Sequence, residues 1–98
     1  MKELWTGQVE LLTPPSECGD TKCFTNVVAW ADGREGFTAR VSTVFARRGW
    51  SILRVEQCRR VAECGSMAAE LAEQVERASE IPEACIFGTL HYYPSRPL

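Results

Sequence analysis

His91 is the residue best suited to acid–base chemistry, because it is the single histidine among the 98 residues. An imidazole titrates near neutral pH, so any histidine general base in this chain is His91. Tyr92 and Tyr93 follow it and would add hydroxyl groups at the same place. A cysteine–histidine nucleophile needs a thiol beside the imidazole, but Cys85 lies about 20 Å away along a strand. We therefore predict no catalytic residue, and a structural or surface role for His91.

The five cysteines have spacings that fit neither a disulfide framework nor a structural zinc site. Their number is odd and no secretory signal is recognisable, which disfavours disulfides. Four and five residues separate the two nearest pairs, whereas structural zinc sites use tighter CxxC pairs. We predict buried thiols that pack as small apolar groups, with no metal and no cofactor. A metal site that includes His91 is the alternative. The cysteines are Cys18, Cys23, Cys58, Cys64 and Cys85.

Arginines in the middle of the chain offer a site for an acidic ligand or for RNA. The net charge of −2 and the pI of about 5.4 mean that the whole chain does not attract nucleic acid. Gly33 and Gly36 are too weak a signal for a phosphate-binding loop. We therefore predict no nucleic-acid partner. The arginines are Arg47, Arg48, Arg54, Arg59 and Arg60, with Trp50 among them.

The segment 63–83 is acidic, with six glutamates and one arginine. On a helix most of these side chains would face water, and an exposed ion pair adds at most about 1 kcal/mol. The alternative is an acidic patch that docks a basic protein partner. Its candidate residues are Glu70, Glu73 and Glu76.

Four segments have the character of strands. Residues 4–12 alternate between apolar and polar side chains, which predicts a half-buried strand. Residues 22–31 are rich in Phe, Val, Thr and Trp, with apolar groups on both faces. Residues 50–61 and 84–93 predict two further strands.

Two helices separate the later strands, giving the order ββαβαβ. Asp32 is predicted to cap the first helix and Glu35 to complete a capping box, although Asp32-Gly33 also fits a hairpin turn. Gly49 suits the end of this helix, since glycine favours the position after a helix C-terminus. Residues 65–81 predict the second helix, which stops before a proline.

These elements predict one α+β domain over residues 1–98. It is a two-layer sandwich, with a four-stranded, largely antiparallel sheet and both helices on one face. The layout resembles ferredoxin-like sandwiches in general architecture only, since their order is βαββαβ, and the resemblance implies no activity. No segment is apolar for long enough to span a membrane, so we expect a cytoplasmic protein.

The sheet face without helices would expose several large aromatic side chains, which is unusual for a monomer. We therefore predict a small soluble binding module that forms a homo-oligomer through this face. The alternative is a small oligomeric enzyme, or a small-molecule-binding protein, with an aromatic pocket around Trp30, His91 and Tyr93. The candidate ligand or interface residues are Phe24, Trp30, Phe87, His91 and Tyr93.

Overall fold

The computed structural model describes residues 2–14 and 22–93, and the fold is α+β with two helices and an antiparallel sheet. Cys18 lies outside the described residues. The elements are β1 (Glu3–Leu12), β2 (Lys22–Ala31), α1 (Arg34–Ala46), β3 (Ser51–Arg60), a 3-10 turn (Val61–Glu63), α2 (Ala69–Glu80), β4 (Cys85–Phe87) and β5 (His91–Tyr92).

The sheet is built around the long antiparallel pair of β1 and β2, whose register runs from Glu3 opposite Ala31 to Leu12 opposite Lys22. β3 pairs with the other side of β1. β4 and β5 follow one another along the other side of β2. Because side chains alternate along a strand, each of β1 and β2 contributes one set of residues to each sheet face.

α1 covers one face of the sheet and forms the main core. Its side chains Phe37, Val41 and Phe45 are fully buried against Val9 and Val27 of the sheet. Trp50 and Phe87 complete this core, and each meets the Phe45 ring edge to face, with centroids 5.2 and 5.6 Å away.

α2 packs on the opposite face of the sheet, so the prediction that both helices cover one face is wrong. Ala78 of α2 is buried with Val28, and Trp30 packs against this cluster. The Trp30 indole N–H donates to the carbonyl oxygens of Ala78 and Ile81 at 3.0 and 3.1 Å. The physical reason is the two-sided apolar character of β2, because Val28 and Trp30 point away from α1 and need their own cover.

The predicted strand over residues 84–93 is interrupted at residues 88–90. Phe87 lies opposite Val27, whereas His91 lies opposite Phe24, so one extra residue stands on the last strand. Such a bulge moves the following side chains to the other face. Phe87 therefore faces α1 while His91 and Tyr93 do not, and the prediction that these three share a face is wrong.

Gly88 explains where the interruption occurs. Its N–H donates to the Asn26 carbonyl at 3.0 Å, and α2 passes directly over it. A Cβ atom at this position would lie 3.1 Å from Gln74 Nε2 and would collide with the Glu70 carboxylate. A side chain at this position would therefore have to displace the ends of the Glu70 and Gln74 side chains of α2.

Both helices start later than predicted. Gly33 is the N-cap of α1 and has no side chain, so the prediction that Asp32 caps this helix is wrong by one residue. The pairing of β2 continues to Ala31, and Gly33 adds one more extended residue before the helix begins. The hairpin alternative is also wrong, since a helix follows. α2 starts at Ala69 because the 3-10 turn and a short loop occupy residues 61–68.

Gly49 ends α1 as predicted. Its φ is +77°, in the left-handed region, and its N–H donates to Ala46 O at 3.0 Å. The next residue, Trp50, donates to Phe45 O at 3.0 Å. These two bonds form a Schellman motif, which satisfies the last carbonyls of the helix.

Replacing Gly49 with alanine should lower the free energy of unfolding by about 1–2 kcal/mol, the usual cost of a left-handed conformation for a residue with a Cβ. Denaturant titration measures this change. Gly65→Ala is the matched control, because a Cβ there would meet nothing within 4 Å and its backbone is not left-handed. Equal losses in the two variants would contradict this interpretation of the α1 terminus.

Candidate functional site

α2 covers only part of its sheet face, and the uncovered part carries aromatic and charged side chains. The strand pairing places these side chains together. Glu10 of β1 lies opposite Phe24 of β2 and opposite Arg54 of β3, and Phe24 lies opposite His91 of β5. Tyr93 follows β5, and its N–H donates to the Lys22 carbonyl at 3.0 Å. We define the aromatic surface as Glu10, Lys22, Phe24, Arg54, Glu56, His91 and Tyr93.

Three rings are in contact at the centre of the aromatic surface, two of them stacked and the third tilted. The Phe24 and His91 rings lie 5.0 Å apart at an interplanar angle of 23°, and Tyr93 lies 5.6 Å from Phe24. Phe24 is half-buried, while His91 and Tyr93 are exposed. The imidazole therefore lies at the protein surface, as predicted, with an aromatic ring on one side and solvent on the other.

Glu10 is the electrostatic centre of the aromatic surface. Its carboxylate lies 3.2 Å from Lys22 Nζ, 3.3 Å from Arg54 Nη2 and 3.2 Å from the Tyr93 hydroxyl, which donates to it. Desolvation acts to raise the Glu10 pKa, but the hydrogen bonds from Lys22 and Tyr93 and the charge of Arg54 outweigh it, so this pKa is lowered. One carboxylate thus links β1 to β2, to β3 and to the segment after β5.

Acid should weaken the fold through Glu10. Its pKa in the folded protein lies below the ordinary value of 4.5, so its stabilising effect is present above pH 4.5 and is lost as the pH falls through the folded pKa. We expect the melting temperature to fall below pH 4.5 in thermal scans, and Glu10→Gln to make the decline shallower. Glu73 lies on the exposed face of α2, so the melting temperature of Glu73→Gln should fall with pH as that of the unmodified protein does. Identical curves for all three proteins would contradict the role of Glu10.

A second feature of the same face is a polar cavity of about 200 Å³ between the sheet and the start of α2. We call it the polar pocket. A bulge in β3 shapes its wall, because Thr6 lies opposite Arg59 while Gln8 lies opposite Glu56. Gln57 and Cys58 therefore stand against the single residue Gly7, and Gln57 has a left-handed φ of +53°. The pocket is lined by Thr6, Gly7, Gln8, Asn26, Gln57, Arg59, Cys64, Gly65, Ser66, Met67, Ala68 and Leu71.

Sequence reasoning missed the polar pocket. A signal was present, since Thr6, Gln8 and Asn26 are polar residues in the interiors of two long strands. Arg59 was noted only as part of the arginine cluster. The loop at residues 64–68 lines the pocket, whereas the sequence predicts that residues 65–68 belong to the helix.

Trp30 and Phe87 do not join the aromatic surface. Trp30 lies six residues from Phe24 along β2, about 20 Å at the rise of a strand, and its indole is bonded to α2. Phe87 belongs to the α1 core. The structure therefore places His91 and Tyr93 together, but not around one pocket with Trp30.

Of the three acidic candidates, Glu70 has a contact within the fold. Its carboxylate accepts the Thr89 N–H at 3.0 Å and so fastens α2 to the bulge. Glu73 and Glu76 are exposed, and neither carboxylate forms an ion pair within residues 2–14 and 22–93.

Three cysteines lie on the α1 side of the sheet, away from the aromatic surface. Burial raises the pKa of each of these thiols, which keeps them protonated and weakly nucleophilic near neutral pH. Within the described part of the chain, no three His, Cys, Asp or Glu side chains form a group that could hold a metal ion. Neither described helix is long and apolar enough to cross a membrane. The three cysteines are Cys23, Cys58 and Cys85.

Comparison with protein-family models, with curated proteins and with solved structures found no match to this chain.

Proposed function

We propose that this protein is a binding module that pairs with a second copy of itself through the aromatic surface. The observation that carries the proposal is the stacked group of Phe24, His91 and Tyr93, which α2 leaves uncovered. Aromatic side chains bury a large area at small entropic cost, and they are enriched at protein interfaces.

The charges of the aromatic surface favour a second copy as its occupant. Lys22 and Arg54 are balanced by Glu10 and Glu56, so the surface carries both signs with no net charge apart from His91. In a two-fold dimer the same patch meets itself. A patch of one sign would repel its copy, whereas this one can place the basic groups of one protomer beside the acidic groups of the other.

Binding is better supported than catalysis at this surface. His91 stacks on an aromatic ring, and the Glu10 carboxylate is already engaged by three partners. A general base is a proton acceptor whose lone pair can reach the substrate. The three partners of Glu10 occupy its carboxylate, which suits a binding surface of fixed shape better than proton transfer.

Replacing Tyr93 with alanine should abolish the dimer. Light scattering of the unmodified protein at high micromolar concentration should give twice the 11.0 kDa of the chain, and Tyr93→Ala should return it to 11.0 kDa. The reason is the loss of a large ring from the centre of the interface. The neighbouring Tyr92 provides a matched control, since it is exposed to a similar extent, 45% against 39%, but faces the other way.

Tyr92→Ala should remain a dimer. A mass of 11.0 kDa for the unmodified protein, or the same change in both variants, would contradict the proposal.

A further inference from the structure

We propose that the polar pocket binds a small organic anion through its carboxylate or phosphate group. The first argument is the charge of Arg59, which lies opposite Thr6 in the register and lines the cavity. Its guanidinium forms no ion pair within the described residues. The nearby Glu63 pairs with Arg60 at 2.9 Å, and the charge of Arg59 also contributes, after Arg60, to lowering the Glu63 pKa. A planar guanidinium with free donors matches the geometry of both carboxylate and phosphate.

The second argument is Thr6, whose side chain borders the polar pocket and whose hydroxyl bonds to no other group in residues 2–14 and 22–93. The residue is only 7% exposed, but its hydroxyl oxygen is not among the buried atoms that lack a partner, so this oxygen is accessible. A ligand oxygen in the cavity would give this hydroxyl a hydrogen-bond partner.

The third argument is the start of α2, which forms one wall of the polar pocket. Ala68 is the N-cap and gives no side-chain hydrogen bond to the helix. The first hydrogen bond within the helix runs from the Ala72 N–H to the Ala68 carbonyl. The N–H groups of residues 69–71, in the first turn, therefore have no acceptor within the helix. Such N–H groups, together with the helix dipole, favour a negative ligand group.

The polar pocket suits a small anion better than a large one. Its volume of about 200 Å³ is below that of typical drug-sized sites. The cavity is also lined by the side-chain amides of Gln8 and Asn26 and by the hydroxyl of Ser66. These groups could form hydrogen bonds with the part of the ligand that lies beyond its anionic group. The acid in the first turn of α2, Glu70, is held by the Thr89 N–H and does not line the cavity.

Titration with inorganic phosphate and, separately, with succinate tests the proposal and distinguishes the two anion types. The amide signals of residues 65–71 and Thr6 should move saturably in nuclear magnetic resonance spectra with at least one of the two anions. Sodium chloride at matched ionic strength should not reproduce the change. The pocket shares no residue with the aromatic surface, so the result does not depend on dimer formation.

Arg59→Gln should weaken this binding by about tenfold or more, because a charge-assisted bond is lost. Arg77→Gln is the matched control, since Arg77 is exposed, forms no ion pair within the described residues and does not line the cavity. Thr6→Val, which keeps the shape of the side chain, should weaken binding less. The proposal is overturned if neither anion moves these signals beyond chloride, or if both arginine variants respond like the unmodified protein.

Discussion

Replacing Phe45 with alanine should lower the free energy of unfolding by about 3–5 kcal/mol, the cost of removing a buried aromatic ring. Phe45 is fully buried and joins α1 to the sheet. Its ring also meets Trp50 and Phe87 edge to face, which adds to the loss. Chemical denaturation followed by circular dichroism measures the change.

Phe24→Ala is the matched control for Phe45→Ala. The Phe24 ring is half-buried and stacks on the exposed rings of His91 and Tyr93, so its removal should cost much less stability. The stability of Phe24→Ala should be measured at low protein concentration, because self-association would otherwise add to it. Equal losses for the two variants would mean that the main core does not lie beneath α1.

Replacing Trp30 with alanine should have the second large effect, with a loss of about 3 kcal/mol. Trp30 packs against α2, and its indole N–H holds the carbonyls of Ala78 and Ile81. Without the ring, α2 should loosen from the sheet, so the amides of residues 69–80 should lose protection in hydrogen exchange more than those of α1.

Trp30→Phe separates packing from hydrogen bonding. The phenyl ring keeps most of the apolar contact and loses only the indole donor, which should cost about 1 kcal/mol. If the phenylalanine variant loses as much stability as the alanine variant, the hydrogen bonds and not the packing hold α2 in place. If neither variant changes the protection of α2, then α2 is not fastened to the sheet by Trp30.

The parts of the fold that depend on neighbouring residues could be predicted from the sequence. The alternation of β1 and the left-handed glycine at Gly49 are local properties, and the structure agrees with both. The interruption at Gly88 is also local in cause, since glycine inside a strand often marks a bulge. Period-two alternation carries no information about such a shift, so the alternation wrongly predicts that Phe87 shares a face with His91 and Tyr93.

The position of α2 could not be predicted from the apolar residues on the two faces of β2. Trp30 is predicted to lie on a face that a second subunit covers, but in the structure α2 covers Trp30 together with Val28. Both explanations satisfy the same pattern, because a period shows which residues need cover and not what covers them.

The aromatic surface could be predicted only in part. His91 and Tyr93 share one face and are exposed, as predicted, because they are two residues apart on a short strand segment. The prediction that this face carries no helix is wrong, since α2 packs on another part of it. The carboxylate beneath them could not be foreseen, since Arg54 and Tyr93 lie 44 and 83 residues from Glu10 along the chain. Contacts at such separations depend on the strand register, which two bulges in β3 also shift.

The most direct test of the proposed dimer is a mixture of isotope-labelled and unlabelled protein, in which nuclear Overhauser effects between protomers are recorded. The account predicts that the rings of Phe24, His91 and Tyr93 in one protomer contact residues of the same aromatic surface in the other. It would be contradicted by a dimer whose contacts lie on α1 or on the exposed face of α2. It would equally be contradicted by the absence of such contacts together with a mass of 11.0 kDa in solution.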